Sequence, residues 1–578
     1  MTTSEPTITG NTKYDVVIVG GGPVGLLLAY QLRRFGVSVC VLEQHREETQ
    51  DAYGRAIALF PRTLELLDQL GLLDPMLQLG FACRHSVTYK NGEQIIPGRV
   101  WTFMENIKDT AFDFTLVLRQ MYTESILRDK LQSVGAVYHQ GVECIDFGCD
   151  DAMNLDEYSV TSTFMNRTTE ERFQLKSKYL IGADGGRSFV RRHAGIPFEG
   201  DTSEDQWIRI DGIVETDMPI TRAYGAIESE THGNVLWAPL DHGATRIGYA
   251  YSANIAAKYP DGVTKEVAVQ EAIESMKPFS VEFKEVHWWT LYTIGQRIAK
   301  RFSTRDRIFL CGDAAHTHSS GAAQGLNTGI HDAVNLAWKL VLRIQGTARP
   351  EVLQTYTSER ASAVQKLIDY DKDIALLMSY KWPAWYKGDR EADPHLVLGE
   401  IFDKAASFNT GLGISYSENA LNQRQRTDIC SVVAGSRPPD VELTVPGTNQ
   451  SVRLHNITPN QATFWVLVFA GRNDPSIQNL MEELQRYLDT AMELTSCKAI
   501  KWLTIITGTG CSPYEALGRR PFGDAYFDTG SIAHDRLGID MDNGAVAILR
   551  PDGLVGTTCG IRGESIHRYL SSILHMGE

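Results

Sequence analysis

The chain has 578 residues, too many for one hydrophobic core, which predicts two to four domains. It is 43% hydrophobic and 22% charged, as ordinary globular proteins are, and its net charge is -15. That acidic balance speaks against nucleic acid and anionic membranes as partners. The opening stretch MTTSEPTITGNTKY has no basic n-region and no apolar core, so no signal peptide is expected. No apolar run approaches the ~18 residues of a membrane span. Nine cysteines without a CxxC pair predict reduced thiols in a cytoplasmic protein, not a thiolate zinc site.

The first element is a nearly all-apolar strand over 15–19, the mark of a buried parallel strand. Gly20-x-Gly22-x-x-Gly25 follows, then a helix over 23–35 that opens with Pro23 and has Gly36 just past its end. A second strand over 37–42 has Glu43 at its tip. Gly20 permits a tight turn, Gly22 lets backbone amides approach a pyrophosphate, and Gly25 lets helix and strand pack closely. Glu43 can accept hydrogen bonds from ribose hydroxyls. The fingerprint predicts a bound dinucleotide and leaves FAD and NAD open.

Further on, KYLIGADGGRSFVRRHAGI places Asp184-Gly185, Ser188 and Arg191 after another strand, which also suits a plain strand-turn-helix junction. NVLWAPLDHGATRIGYAY predicts a hairpin turning at 241–243. A strand over 307–311 runs into Gly312-Asp313 and a loop of small residues. A helix then starts near Gly325, with apolar residues at 326, 330, 334, 337, 341 and 344 giving one buried face. His316, His318 and His331 invite a metal reading, but no carboxylate-rich or thiolate cluster accompanies them, and no metal is expected. Helices fill about 351–425. TDICSVVAGSRPPDVELTVPG predicts a linker, and the strands after it alternate with helical stretches in an α/β pattern.

Together the three glycine motifs resemble the FAD-dependent aromatic hydroxylases, single-component flavoprotein monooxygenases of the p-hydroxybenzoate hydroxylase type. YTIGQRIAKRF, GDAAHTHSSGAAQGLNTG and TYTSERASAVQKLIDYD are similar to the phenol 2-monooxygenase branch. The resemblance implies an α/β fold. A Rossmann-like FAD-binding domain is expected over 1–80, 120–200 and 290–350, with an inserted β-sheet substrate domain over 81–119 and 201–289. A helical connection over 351–430 and a thioredoxin-like C-terminal domain over 431–578, without CxxC, complete it. FAD is the implied cofactor, NAD(P)H and O2 the co-substrates, a small aromatic molecule the substrate, and a homodimer the assembly. Hydroxylation through a flavin hydroperoxide is the implied reaction. By the same resemblance Asp313 binds the ribityl chain, Asp184 and Gly185 contact FAD and the passing nicotinamide, and Gln324, Gly325, Leu326 and Asn327 lie at the ring. A helix N-terminus there would favour a reduced, anionic ring. Arg55 matches an arginine near flavin and NADPH, or is a surface helix-entry residue. Gln120 matches a flavin-contacting glutamine, or is a helix cap.

The chain also departs from the phenol 2-monooxygenases. Ile57 lies where that branch carries an acid nearby, Gly248 stands in place of a tyrosine two residues after Arg246, and Ser320 replaces a proline. These positions, with Trp237 and Pro239, form the expected substrate pocket, and Gly248 is expected to leave room for a larger substrate. Arg246, Tyr249 and Tyr292, with His242, are the candidates for substrate activation, and a packed or solvated structural role is open for each. Trp289 could line the pocket or belong to the core. The leading reading is hydroxylation of a substituted phenol or a larger, polyketide-derived aromatic. Baeyer-Villiger, epoxidation or ring-opening oxidation, an FAD-dependent dehydrogenase, and a flavin-bearing binding protein are the alternatives.

Overall fold

The computed structural model describes residues 12–49, 54–152, 154, 157–319, 321, 323–378, 381–424, 429–472, 474–510 and 512–576. Ser320 therefore lies outside the described residues.

Thr12–Val19 forms the centre of the first sheet. Its apolar run pairs in parallel with Val39–Glu43 on one side and Arg172–Gly182 on the other. Val16, Val17 and Ile18 are fully buried because helices cover the sheet. Pro23–Arg34 is one of these, and Gly325–Ile344 packs against it. Ile308–Leu310 adds in parallel to Arg172–Gly182, so the chain re-enters this sheet after a long excursion.

The excursion builds a second sheet. Phe198–Thr216 pairs antiparallel with Thr245–Tyr251 and with Val281–Ala299, and Gly233–Pro239 and Tyr224–Ser229 continue the sheet outward. The hairpin turn lies at Asp241–Gly243, with His242 and Gly243 both in the left-handed region, at φ 51° and 74°. Alternation sorts the strands cleanly. Ile208, Ile210, Ile247 and Tyr249 pack with Ala268 and Ala272 of the helix Lys265–Ser275. Arg209, Asp211 and Arg246 occupy the other face. Val281–Ala299 runs unbroken, so a domain boundary at 290 would cut a strand whose pairing with Phe198–Thr216 continues to Ala299.

The helix Gly325–Ile344 differs from its sequence reading. Every residue from Leu326 to Leu342 is buried, not one face alone. The helices Pro23–Arg34 and Pro350–Met378 cover two of its sides, and the C-terminal unit covers a third. Arg550 and Asp552 reach the helix and meet Glu359 of the helix Pro350–Met378, together with Asn335, Trp338 and Lys339. The C-terminal sheet has Asp524–Asp528, Ile500–Thr507 and Phe464–Phe469 in parallel at its centre, with Ala545–Leu549 and Val555–Cys559 antiparallel beside them. The segment read as a linker is pinned down: Arg437 donates to both carboxylate oxygens of Glu65, at 2.6 and 2.8 Å. No helix among the described residues is long and apolar enough to cross a membrane.

Candidate active site

The nucleotide end is assembled from loops at the C-terminal ends of the first sheet's strands. Gly20 has φ 111°, and a Cβ there would sit 2.2 Å from the Ala183 carbonyl oxygen. The first glycine loop and the Asp184-Gly185 loop therefore touch backbone to backbone. A Cβ on Gly25 would meet the Gly20 oxygen at 2.1 Å, which is the close helix-strand packing expected of it. At Gly22 an added Cβ meets nothing within 4 Å. Gly22 is also the N-cap of Pro23–Arg34, with Pro23 in the first turn and no side chain capping the end. Uncapped N–H groups therefore face open space, as a pyrophosphate requires. The Glu43 carboxylate is aimed by two backbone donors, Gly21 N–H at 2.7 Å and His45 N–H at 2.8 Å.

Two buried side chains bind these loops together. Arg191 is not solvated: it donates to the carbonyls of Ala314 at 2.7 Å and Gly186 at 2.9 Å, joining the Asp184 loop to the Gly312-Asp313 loop. Asp332 accepts from Gly312 N–H at 2.9 Å, from Arg360 Nε at 2.6 Å, and lies 2.7 Å from His316 Nε2. Burial alone would raise its pKa, but Arg360 and His316 hold it down at about 2. Gly312 adopts φ 60°, and a Cβ there would press on Val24 at 3.0 Å. Asp313 is exposed on this otherwise buried turn. An exposed acid, an uncapped helix N-terminus fronted by open space and an acid at the second strand's tip fit the ribityl chain, pyrophosphate and adenosine ribose of FAD. The histidines go to separate partners: His316 to Asp332, His318 Nδ1 to the Ser319 carbonyl, His331 to Thr63. None of the described residues forms a group of three or more that could hold a metal ion.

Several residues expected at the flavin have protein partners of their own. Asp184 accepts from Ser188 Oγ at 2.5 Å and Val190 N–H at 3.0 Å, so its carboxylate caps the following short helix. Gln120 accepts from Ala56 N–H and donates to Glu124 at 2.8 Å, and it fills the space beside Gly54. Gln324 donates to the Asn409 carbonyl at 2.7 Å. Asn327 accepts from Phe60 N–H at 2.8 Å and donates to Ala58 O at 3.0 Å. These side chains fix the loops at 54–60 and 323–327. Gly325 and Leu326 start the helix, which no side chain caps. Gly185, at φ 75°, opens its turn onto empty space.

The second sheet's inner face brings the substrate candidates together selectively. Arg246 donates to both oxygens of Asp211, at 2.6 and 2.8 Å, and also to the Arg55 carbonyl oxygen. The sheet thus meets the 55–57 strip directly. Burial works against the Arg246 charge, but Asp211 raises its pKa overall. The exposed Arg55 guanidinium lies 4.9 Å from the Tyr292 ring centroid. Ile57 is buried among Phe60, Trp101, Phe103 and Tyr224.

Other candidates point the wrong way. Tyr249 lies on the opposite face, where it packs in the far core and donates to the Ala268 carbonyl at 2.8 Å, and burial pushes its pKa up. Trp237 sits in that same far core and donates to Thr221 O at 2.9 Å; Trp289 packs there too. Pro239 is a buried strand end opposite Thr245. His242 lies at the hairpin tip beside Asp241 and the Tyr122 ring. Gly248 does face inward, yet the room it leaves is taken: an added Cβ would come 2.4 Å from Arg209 Nη1. The sequence reading missed Arg209, Asp211, Tyr224 and Trp101. The alternation Trp207-Ile208-Arg209-Ile210-Asp211 carried a signal for the first two, since it puts a polar row opposite an apolar one.

The comparisons with known proteins agree with this geometry. The family model described as FAD binding domain matches residues 13–371. An uncharacterized aromatic compound monooxygenase, YhjG, of Bacillus subtilis (strain 168) is 30% identical over 81% of this chain and 87% of its own. The 6-methylpretetramide 4-monooxygenase of Streptomyces rimosus is 34% identical over 64% of this chain and 62% of its own. In fold, the chain is similar to aklavinone-11 hydroxylase, solved with FAD and aklavinone, with a TM-score of 0.75 at 21% identity, covering 98% of this chain and 99% of that one. The protein is a member of the FAD-dependent aromatic hydroxylases, flavoprotein monooxygenases that carry this FAD-binding domain.

Proposed function

We propose that the protein uses NAD(P)H and O2 to hydroxylate a substituted phenol or a larger, polyketide-derived aromatic. The observation that carries this reading is the junction of the two sheets. The Arg246–Asp211 pair touches the Arg55 carbonyl, and an apolar wall of Ile57, Phe60 and Trp101 stands beside it. An aromatic ring would find apolar walls there and a polar edge. The relative that acts on 6-methylpretetramide supports a large substrate. FAD, when bound, brings the redox chemistry of hydride acceptance and oxygen activation. The chain's own residues hold the cofactor at Gly22, Glu43 and Asp313, exclude water with the apolar wall, and orient the ring from the inner face.

The architecture is inferred on the same footing. Residues 1–80, 120–200 and 290–350 form the FAD-binding part, with the strand through 290 shared with the substrate sheet of 81–119 and 201–289. Residues 431–578 form a thioredoxin-like unit, a reading supported by three central parallel strands flanked by antiparallel ones. Without CxxC its role is packing or support of a homodimer. The described cysteines are all unpaired thiols, which supports a cytoplasmic setting.

The test is NAD(P)H oxidation by the FAD-loaded protein against a panel of phenols and aromatic polyketides under isotopically labelled dioxygen. Substrate-stimulated NAD(P)H consumption with one labelled oxygen in a hydroxylated product is expected. Oxidised product without label would replace this reading with a dehydrogenase.

A further inference from the structure

Gly248 leaves a gap in the pocket strand that a neighbour fills. Arg209 is the residue paired with Gly248 across the strands. A Cβ on Gly248 would meet Arg209 Nη1 at 2.4 Å, Cδ at 2.5 Å and Cζ at 2.7 Å, so the Arg209 side chain lies across the strand where a side chain at 248 would stand. Its guanidinium lies 5.0 Å from the Trp207 ring centroid and 5.9 Å from that of Tyr292. Nη1 donates to the Ile208 carbonyl at 3.2 Å. The residue is only 7% exposed.

What surrounds it is rich in donors. Arg246 stands on the same face, and both oxygens of Asp211 are engaged by Arg246. Tyr224, 2% exposed, has its hydroxyl buried with no hydrogen-bond partner among the described residues, and the Trp207 indole N–H is in the same position. Burial raises the Tyr224 pKa while Arg246 and Arg209 pull it down, and it stays far above neutrality, so this hydroxyl keeps its proton. The Tyr224 phenol O–H and the Trp207 indole N–H each lack an acceptor oxygen among the described residues, and the buried Arg209 cation beside them favours a charged one.

We propose that Arg209 is the specificity-determining cation of this pocket, selecting an aromatic substrate through an ionised oxygen. The proposal rests on reading the sheet's inner face as the substrate's side. A phenol gives its proton to solvent as it enters the pocket, and the Arg209 cation stabilises the phenolate that is then seated against it. The ring becomes electron-rich without a free carboxylate base, since Arg246 engages both oxygens of Asp211, and this accounts for Ile57 and Gly248 occurring together in one chain.

The experiment is equilibrium binding of 4-nitrophenol to the FAD-loaded protein across a pH series, because the phenolate and neutral forms differ in visible absorbance. Wild type is expected to bind the phenolate at least tenfold more tightly than the neutral phenol, and than nitrobenzene, which has the same frame without the hydroxyl. 4-Nitrobenzoate tests whether a carboxylate is seated as well as a phenolate. Arg209→Gln should remove the preference, and Arg209→Lys should restore part of it. Gly248→Ala, which drives a methyl into the guanidinium, should weaken it. Bound FAD and near-ultraviolet circular dichroism report folding of each variant. A wild-type protein that does not prefer the phenolate, whether it binds both forms equally or neither, overturns the proposal even if the variants misfold. So does a folded, FAD-loaded Arg209→Gln that keeps the preference. Binding needs no turnover, so these outcomes are separate from the labelled-oxygen test of the monooxygenase reading.

Discussion

Asp313 and Glu124 show how differently two carboxylates near one cofactor site are placed. Asp313 is exposed on a turn whose neighbours Gly312 and Ala314 are buried, so its carboxylate faces whatever fills the groove. Asp313→Ala is expected to weaken FAD binding by about 1–3 kcal/mol while the apoprotein's thermal midpoint stays within a degree or two. Flavin fluorescence titration of both proteins measures it, and equal FAD affinity would remove Asp313 from the site. Glu124 is buried beneath Gln120. Burial pushes its pKa up to about 7, against the pull of the Gln120 hydrogen bond and Arg128. An acid whose folded pKa exceeds its unfolded one binds more protons when folded, so stability falls as pH rises from about 4.5 to about 7. Glu124→Gln keeps a hydrogen-bond partner for Gln120 and removes that loss. It should match wild type at pH 4 and be more stable at pH 8, by up to about 3 kcal/mol, in urea unfolding.

At the scale of elements, the helix Gly325–Ile344 joins the Gly312 loop to the C-terminal unit. Its N-terminus has no side-chain cap, its Asp332 sets the Gly312 loop, and its middle is locked to the C-terminal sheet. The lock is a buried charge cluster. Arg550 holds Glu359 at 2.6 and 3.0 Å and Asp552 at 2.6 Å, and Lys339 holds Glu359 at 2.8 Å. Glu359 and Arg550 are both fully buried. Removing one partner leaves an uncompensated buried charge, so Arg550→Met should cost about 3–5 kcal/mol. Flavin should be released in the same thermal transition, since the helix carries both the lock and the Gly312 clamp. Flavin fluorescence and far-ultraviolet circular dichroism followed together test this. Release of flavin well above the unfolding of the helix would refute the coupling.

Across the whole molecule, buried ion pairs join segments that are far apart in the chain. Glu65 accepts from Arg437 across 372 residues and is also held by Arg62. Burial opposes its charge, yet the two arginines keep it at about 2. Asp332 is held at about 2 as well. Both folded pKa values lie below the unfolded ones, so their stabilisation is complete above pH ~4.5 and disappears as pH falls towards 2. Acid unfolding is expected in that interval, with the C-terminal unit and the first sheet losing structure together because Arg437 ties one to the other. Glu65→Gln should move the acid midpoint upward, read by tryptophan fluorescence against pH.

The amino-acid sequence by itself determined what depends on neighbours within a few residues. The glycine spacing at 20–25, the acid at Glu43, the Gly312-Asp313 turn and the start of the helix near Gly325 were legible because a tight turn and a helix N-terminus are local objects. Tertiary structure alone decided which face each strand residue presents and which loop each amide serves. Tyr249 and Trp237 went to the far core because the sheet packs against Lys265–Ser275 on that side. Gln120, Gln324 and Asn327 went to backbone partners supplied by other segments. The gap at Gly248 was closed by Arg209, a residue 39 positions earlier that only the register Arg209↔Gly248 brings alongside. Spacing along the chain fixes a turn, but the occupant of a space beside a strand is set by its partner strand, and that pairing is a property of the folded sheet.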